Sequence, residues 1–273
     1  MKTILLPTDF SDESKNAIRY AINLYGTQDV RYIALHAYDL QHHNTTMMIS
    51  LDDVLKKDAL EAMDMEQAWL KKEYAGQTLP LTPVVQKGEL PLVLEKVIAH
   101  EKADLIIMGT KGASGVSKVL LGSNAVRVIQ SAHIPVIAVP LKAGVQPLKK
   151  VLLAVDFREP FKPGAAAATL DLCKTHGAEL MIVYVSETGE LSAEAGENKG
   201  KWEAALASLP HSIHVIRAAD VTDGLETLAS EHKPDMIAMT AGEGGFFRRM
   251  FHHSDTKEMV QHAHLPLMIM HNA

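Results

Sequence analysis

The chain repeats itself, and the repeat limits its fold more than any single motif does. Val151-Leu-Leu-Ala-Val-Asp156-Phe157 mirrors Ile4-Leu-Leu-Pro-Thr-Asp9-Phe10, and Gln261-His-Ala-His-Leu-Pro-Leu267 mirrors Gln130-Ser-Ala-His-Ile-Pro-Val136. From Asp104 to Val136 the first half aligns with the second without a gap at an offset of 131 residues. A tandem duplication makes each half one folding unit, and 273 residues suit two ordinary domains. Residues 141–150, Leu-Lys-Ala-Gly-Val-Gln-Pro-Leu-Lys-Lys, read as a linker, which sets the units at 1–141 and 148–273.

Within the first half, apolar runs of strand length alternate with helical spacing. Thr3–Leu6, Val30–Ala37, Leu81–Val85, Leu105–Met108 and Ile134–Val139 read as strands. Pro80 and Pro83 put the third of these at an edge or an irregular position. Ser11 or Asp12 caps a helix with Ala17, Ile18, Ala21, Ile22 and Leu24 on one face, and Gly26 ends it. Residues 38–50 are polar and His-rich and read as a loop; Leu51–Tyr74 and Leu90–His100 read as helices. The order βαβαβαβαβ predicts the α/β class: two tandem open, mostly parallel five-stranded sheets with helices on both faces.

The most specific local signal follows the fourth strand. Gly109, two residues, Gly112, nine residues and then Gly122-Ser123 lead from a strand into a helical pattern over Asn124–Ala132. Glycines let a backbone approach a phosphate closely, and the first turn of a helix offers unpaired N–H groups and about half a positive charge. Ser123 adds a hydroxyl and Lys111 a cation. The spacing is neither a Walker loop nor a dinucleotide fingerprint. It resembles the nucleotide loop of the universal stress protein family, in the branch that binds ATP. Both halves resemble one domain of that family, which implies a Rossmann-like fold of the adenine nucleotide alpha hydrolase type.

The resemblance carries expectations for individual residues. Asp9 follows the first strand at the carboxyl edge, where open α/β sheets bind ligands. By resemblance it contacts the nucleoside, in a segment with Pro7 and Thr8; its alternative role is to organise the turn into the helix. The backbone of Ala37 is expected to hold adenine, and Met108 to pack on the nucleoside. Gly109, Lys111, Gly112, Gly122, Ser123 and the amide of Asn124 are expected to cradle the phosphates of ATP, which brings Mg2+ with it. In the second half Pro7 and Thr8 become Ala154 and Val155, while Gly109, Gly112 and Gly122 become Thr240, Glu243 and His253. Asp156 and Ser254 are kept. The second half therefore reads as having the fold without the ATP site, although Gly242, Gly244, Gly245, Arg248 and Arg249 leave a rearranged loop open.

Other features exclude more than they suggest. A net charge of −6 gives no electrostatic reason to expect nucleic acid as a partner. No apolar run spans a membrane, and Met1–Pro7 lacks the pattern of a signal peptide, so a cytoplasmic protein is expected. The single Cys173 allows no disulfide framework and reads as a buried hydrophobe. The 14 histidines, including His42-His43 and His252-His253, are read as surface residues without a metal. Met47-Met48-Ile49 reads as a contact patch or a lid. The functional expectation is a nucleotide-responsive regulatory protein with an unidentified protein partner. The alternatives are a slow ATPase or autophosphorylating protein, with Ser114 or Ser123 as acceptor, and an interaction protein without a working site. Ile134–Val139 and Pro266–Met270 are expected to pair as edge strands, an internal pseudo-dimer, with a homodimer also open.

Overall fold

The apolar runs become strands, and their register builds one open parallel sheet in each of two compact units, Met1–Leu141 and Lys142–Ala273. A computed structural model describes residues 1–39, 48–111, 121–160, 162–219, 221–241 and 264–271. Gly112, Ser114, His42-His43, Met47 and residues 242–263, with Glu243, His253 and Ser254, lie outside the described residues, so the expectations placed on them stay with the sequence.

The first unit runs β1 (Lys2–Pro7), α1 (Asp12–Tyr25), β2 (Val30–Tyr38), α2 (Met48–Glu73), β3 (Leu81–Lys87), α3 (Leu90–Glu101), β4 (Leu105–Gly109), α4 (Ser123–Ser131) and β5 (Val136–Val139). Its lateral order is β3-β2-β1-β4-β5, with every pair parallel. Ile4, Leu5 and Leu6 of β1 are fully buried, as a strand covered on both faces by helices must be. β3 is the edge, and Pro83 is accommodated there opposite Ala34. The segment read as a loop over 38–50 is shorter than expected: β2 continues to Tyr38, which pairs with Lys87, and α2 starts at Met48.

Helix α1 starts where Ser11 accepts the Ser14 N–H at 3.3 Å, and it ends at Gly26, whose φ of 68° with ψ of −152° is a conformation that favours glycine. It buries Ala17, Ile18, Ala21, Ile22 and Leu24. Its first turn lies directly on β4. A Cβ at Gly109 would sit 3.0 Å from the carbonyl carbon of Glu13 and 3.1 Å from its Cβ and oxygen. Gly109→Ala is therefore expected to lower stability by about 1–3 kcal/mol, because backbone rather than a flexible side chain must move. Urea unfolding checks this; an unchanged midpoint would contradict the packing role.

The second unit repeats the sheet with β6 (Lys150–Ala154), β7 (Glu179–Ser186), β8 (His211–Arg217), β9 (Met236–Ala241) and β10 (Leu267–His271), in the order β8-β7-β6-β9-β10 and all parallel. Helices α5 (Ala167–His176), α6 (Ala193–Leu206) and α7 (Val221–His232) connect these strands among the described residues. One difference bears on function. After Asp156 the chain makes a turn and a 3-10 segment (Pro163–Ala166) before α5 begins, whereas α1 begins three residues after Asp9. Thr240 stands in β9 where β4 has Gly109, so the second unit lacks the bare backbone on which α1 starts so close to the sheet.

Candidate functional site

Strands β1 and β4 are neighbours, yet the chain leaves them for helices α1 and α4 on different paths. A crevice opens outside their carboxyl ends, the place where sheets of this topology take ligands. The cavity there measures about 290 Å³. It is lined by Pro7, Thr8 and Asp9 from the end of β1, Ala37 from β2, Met108 and Gly109 from β4, Lys111 beyond it, and Gly122, Ser123 and Asn124 at the start of α4. Every described residue expected at the site thus meets at one cavity. Gly112 lies outside the described residues.

Backbone hydrogen bonds fix these positions. Thr8 N–H donates to Leu35 O at 2.8 Å, which extends the β1–β2 ladder past Pro7. Thr110 N–H donates to Val139 O at 3.1 Å, and Gly122 N–H donates to Thr110 O at 2.6 Å, so the long loop is closed at its base and α4 starts beside β4. Gly122 is the N-cap of α4, with no side-chain hydrogen bond to the first turn. The N–H groups of Ser123, Asn124 and Ala125 begin that turn without intrahelical partners, and all three residues line the cavity. The array of donors and the positive end of the helix suit an anion.

Backbone conformation does not account for the two described glycines of the loop. Gly122 has φ −71° and ψ 162°, an extended conformation open to any residue, and Gly109 is not among the glycines with positive φ. Neither is required by backbone conformation. Gly109 is required by the contact with Glu13, and Gly122 lines the cavity. Phe10, next to Asp9, is one of the non-glycine residues with positive φ, at 65°. Its N–H donates to Thr8 Oγ1 at 3.0 Å and its ring lies 4.4 Å from that of His36.

Asp9 does organise the turn: Oδ1 accepts the N–H of Ser11 at 3.2 Å and the hydroxyl of Ser11 as well. Asp156 makes the same turn in the second unit, accepting Arg158 N–H at 3.0 Å. There, however, the Arg158 guanidinium folds back on the carboxylate, Nε to Oδ1 at 2.9 Å and Nη2 to Oδ2 at 2.7 Å. This bidentate pair raises the Arg158 pKa above its ordinary value. The retained aspartate is therefore clasped by the Arg158 guanidinium in the second unit.

Leu90, Thr110, Leu121 and Ala125 line the cavity as well, and among the side chains not anticipated at the site are Ser14, His36 and Glu66. Ser14 and His36 line the cavity. His36 Nδ1 lies 2.8 Å from Thr8 O, and since a carbonyl only accepts, Nδ1 carries the proton. Glu66 of α2 is 2% exposed and reaches Thr8 Oγ1 at 3.1 Å. The sequence held a signal for it. Ala59, Met63, Glu66 and Leu70 share one helical stripe, and the other three are all buried, so a carboxyl stands in a row of core residues. Among the described residues no group of three or more His, Cys, Asp or Glu side chains is arranged to hold a metal ion.

Comparison with known proteins follows the same division into halves. The model of the universal stress protein family matches residues 1–140 and again residues 147–271. A universal stress protein of Methanocaldococcus jannaschii is 34% identical over 150 residues, covering 50% of this chain and 81% of its own. One from Mycolicibacterium smegmatis aligns along 98% of this chain and 96% of its own at 22% identity. The crystal structure of a universal stress protein from Archaeoglobus fulgidus covers 99% of this chain and 98% of its own, with a TM-score of 0.71 and 22% identity, a likeness of fold.

Proposed function

Because the chain belongs to the universal stress protein family in both of its halves, we propose that its first half binds ATP with Mg2+ and that the protein is a nucleotide-responsive regulator in the stress response. The observation that carries this reading is the convergence of Asp9, Ala37, Met108, Lys111, Gly122, Ser123 and Asn124 on one cavity at the β1–β4 crevice. In this reading the first-turn N–H groups of α4 and the Lys111 ammonium take the phosphates. Asp9 accepts from the nucleoside, the backbone of Ala37 holds the base, and Met108 packs against it. Mg2+ would come with the phosphates as their counterion. No helix among the described residues is long and apolar enough to cross a membrane.

Binding is favoured over chemistry because, among the described residues, the phosphate side of the cavity presents amides, hydroxyls and Lys111, while hydrolysis needs a group that positions or deprotonates water. The test is the nucleotide content of the freshly purified chain. Bound ATP with unmodified serines is the expected result. ADP together with phosphoserine would replace this reading with an autophosphorylating one.

A further inference from the structure

Thr8 Oγ1 stands at a junction of three contacts but owns one proton. Phe10 N–H donates to it at 3.0 Å, and it lies 3.1 Å from both Ser14 Oγ and Glu66 Oε2. Ser14 Oγ lies 2.9 Å from the carbonyl of Ser11, which only accepts, so the Ser14 proton goes there. The Thr8 proton is then required by Ser14. The remaining contact, Thr8 to Glu66, is a hydrogen bond only when the carboxyl supplies the proton. One arrangement satisfies all of these contacts: Glu66 O–H to Thr8 Oγ1, Thr8 O–H to Ser14 Oγ, Ser14 O–H to Ser11 O.

Resting on the nucleotide reading above, we propose that Glu66 is a positioning residue: a neutral carboxylic acid that donates to Thr8 and so fixes the Thr8–Ser11 turn that presents Asp9 to the nucleoside. Its environment agrees. Oε1 is buried and has no hydrogen-bond partner among the described residues. That is a small cost for a carbonyl oxygen and a large one for a carboxylate. Burial is the largest influence raising its pKa, and the Asp9 charge acts in the same direction. Lys15 on α1, and a Thr8 hydroxyl turned to donate to the carboxylate, would oppose this without cancelling it.

The second unit supplies an internal comparison. Val155 replaces Thr8 there, and the helix after the second strand carries Asn198, 4% exposed. Its Nδ2 donates to Phe157 O at 3.0 Å and Glu159 O at 3.3 Å, the same turn after the first strand. Each unit thus holds that turn with a buried donor from the same helix. In the second unit the donor is an amide and cannot titrate; in the first it is an acid and can. A raised acid favours the neutral form, so its contribution is complete at low pH and is lost as pH rises above the ordinary carboxylate range through the Glu66 value.

The test uses the intact chain. Carboxyl carbon-13 NMR of glutamate-labelled protein, with Glu66→Gln for assignment, reads the titration of Glu66 directly. Titration with Mg-ATP at a series of pH values, from the ordinary carboxylate range upward, compares wild type, Glu66→Gln and Glu66→Ala. Glu66 is expected to titrate above the usual carboxylate range, and wild-type affinity to fall with it. Glu66→Gln should keep the low-pH affinity and show only the pH dependence of the ligand, while Glu66→Ala should bind about tenfold more weakly throughout. The proposal is overturned if Glu66 titrates in the ordinary range, if wild type and Glu66→Gln share one pH profile, or if Glu66→Ala binds like wild type. A wild-type chain that binds no Mg-ATP would overturn the nucleotide reading together with the proposal, an outcome distinct from the other three.

Discussion

Gly122→Glu is expected to abolish Mg-ATP binding while leaving the fold intact. Gly122 has an ordinary extended conformation, so a β-carbon brings no backbone strain. It is partly exposed at the cavity mouth and its side chain would cap nothing that is now capped. Exchanging one N-cap residue for a poorer one costs at most about 1 kcal/mol. The effect on the ligand is far larger. The glutamate would stand where the first-turn amides of α4 face the cavity, occupying phosphate space and placing a negative charge within a few ångströms of the phosphates. A loss of affinity of at least about a hundredfold follows from an unfavourable change near 3 kcal/mol. Calorimetry of the variant, with circular dichroism to confirm folding, reads both halves of the expectation. A folded variant with wild-type affinity would refute the assignment of this cavity.

The second unit is expected not to bind Mg-ATP. Its sheet has the strand order of the first, so the absence of binding would follow from the site and not from the fold. Thr240 replaces Gly109, and the aspartate that matches Asp9 is clasped by Arg158. α5 starts well after the turn, where α1 starts at once. In sequence, Glu243 and His253 replace the remaining glycines. If each lost or opposed contact costs about 1–3 kcal/mol, three together remove a micromolar site from detection. Residues 1–141 and 148–273 expressed separately would show it. Binding by the second piece as tight as by the first would mean that Gly242, Gly244 and Gly245 form a phosphate loop of another shape.

Strands and their order were legible because buried parallel strands are continuous apolar runs, as in Ile4–Leu6 and Leu105–Met108, and because the duplication gave each element a second witness. The candidate site was legible where it is carried by chain position: Asp9, Ala37 and Gly122 fall at strand or helix ends, and these ends meet at one cavity. The reason for Gly109 was not legible. It depends on the approach of Glu13, a contact between segments about a hundred residues apart, which no local pattern encodes. Glu66 was masked by its surroundings. In a helix rich in charged residues a single glutamate reads as solvated, and only the stripe Ala59, Met63, Leu70 marks it as inward. His36 was hidden for a similar reason, since its ring is engaged by the Thr8 carbonyl and by Phe10 at positive φ.

In the proposed function, one cavity in the first unit is the nucleotide site of the whole chain. Calorimetric titration of the intact chain with Mg-ATP tests this most directly. The expected result is one ATP per chain in the wild type and none in Gly122→Glu. Two per chain, none in the wild type, or one that survives in the folded variant would contradict it.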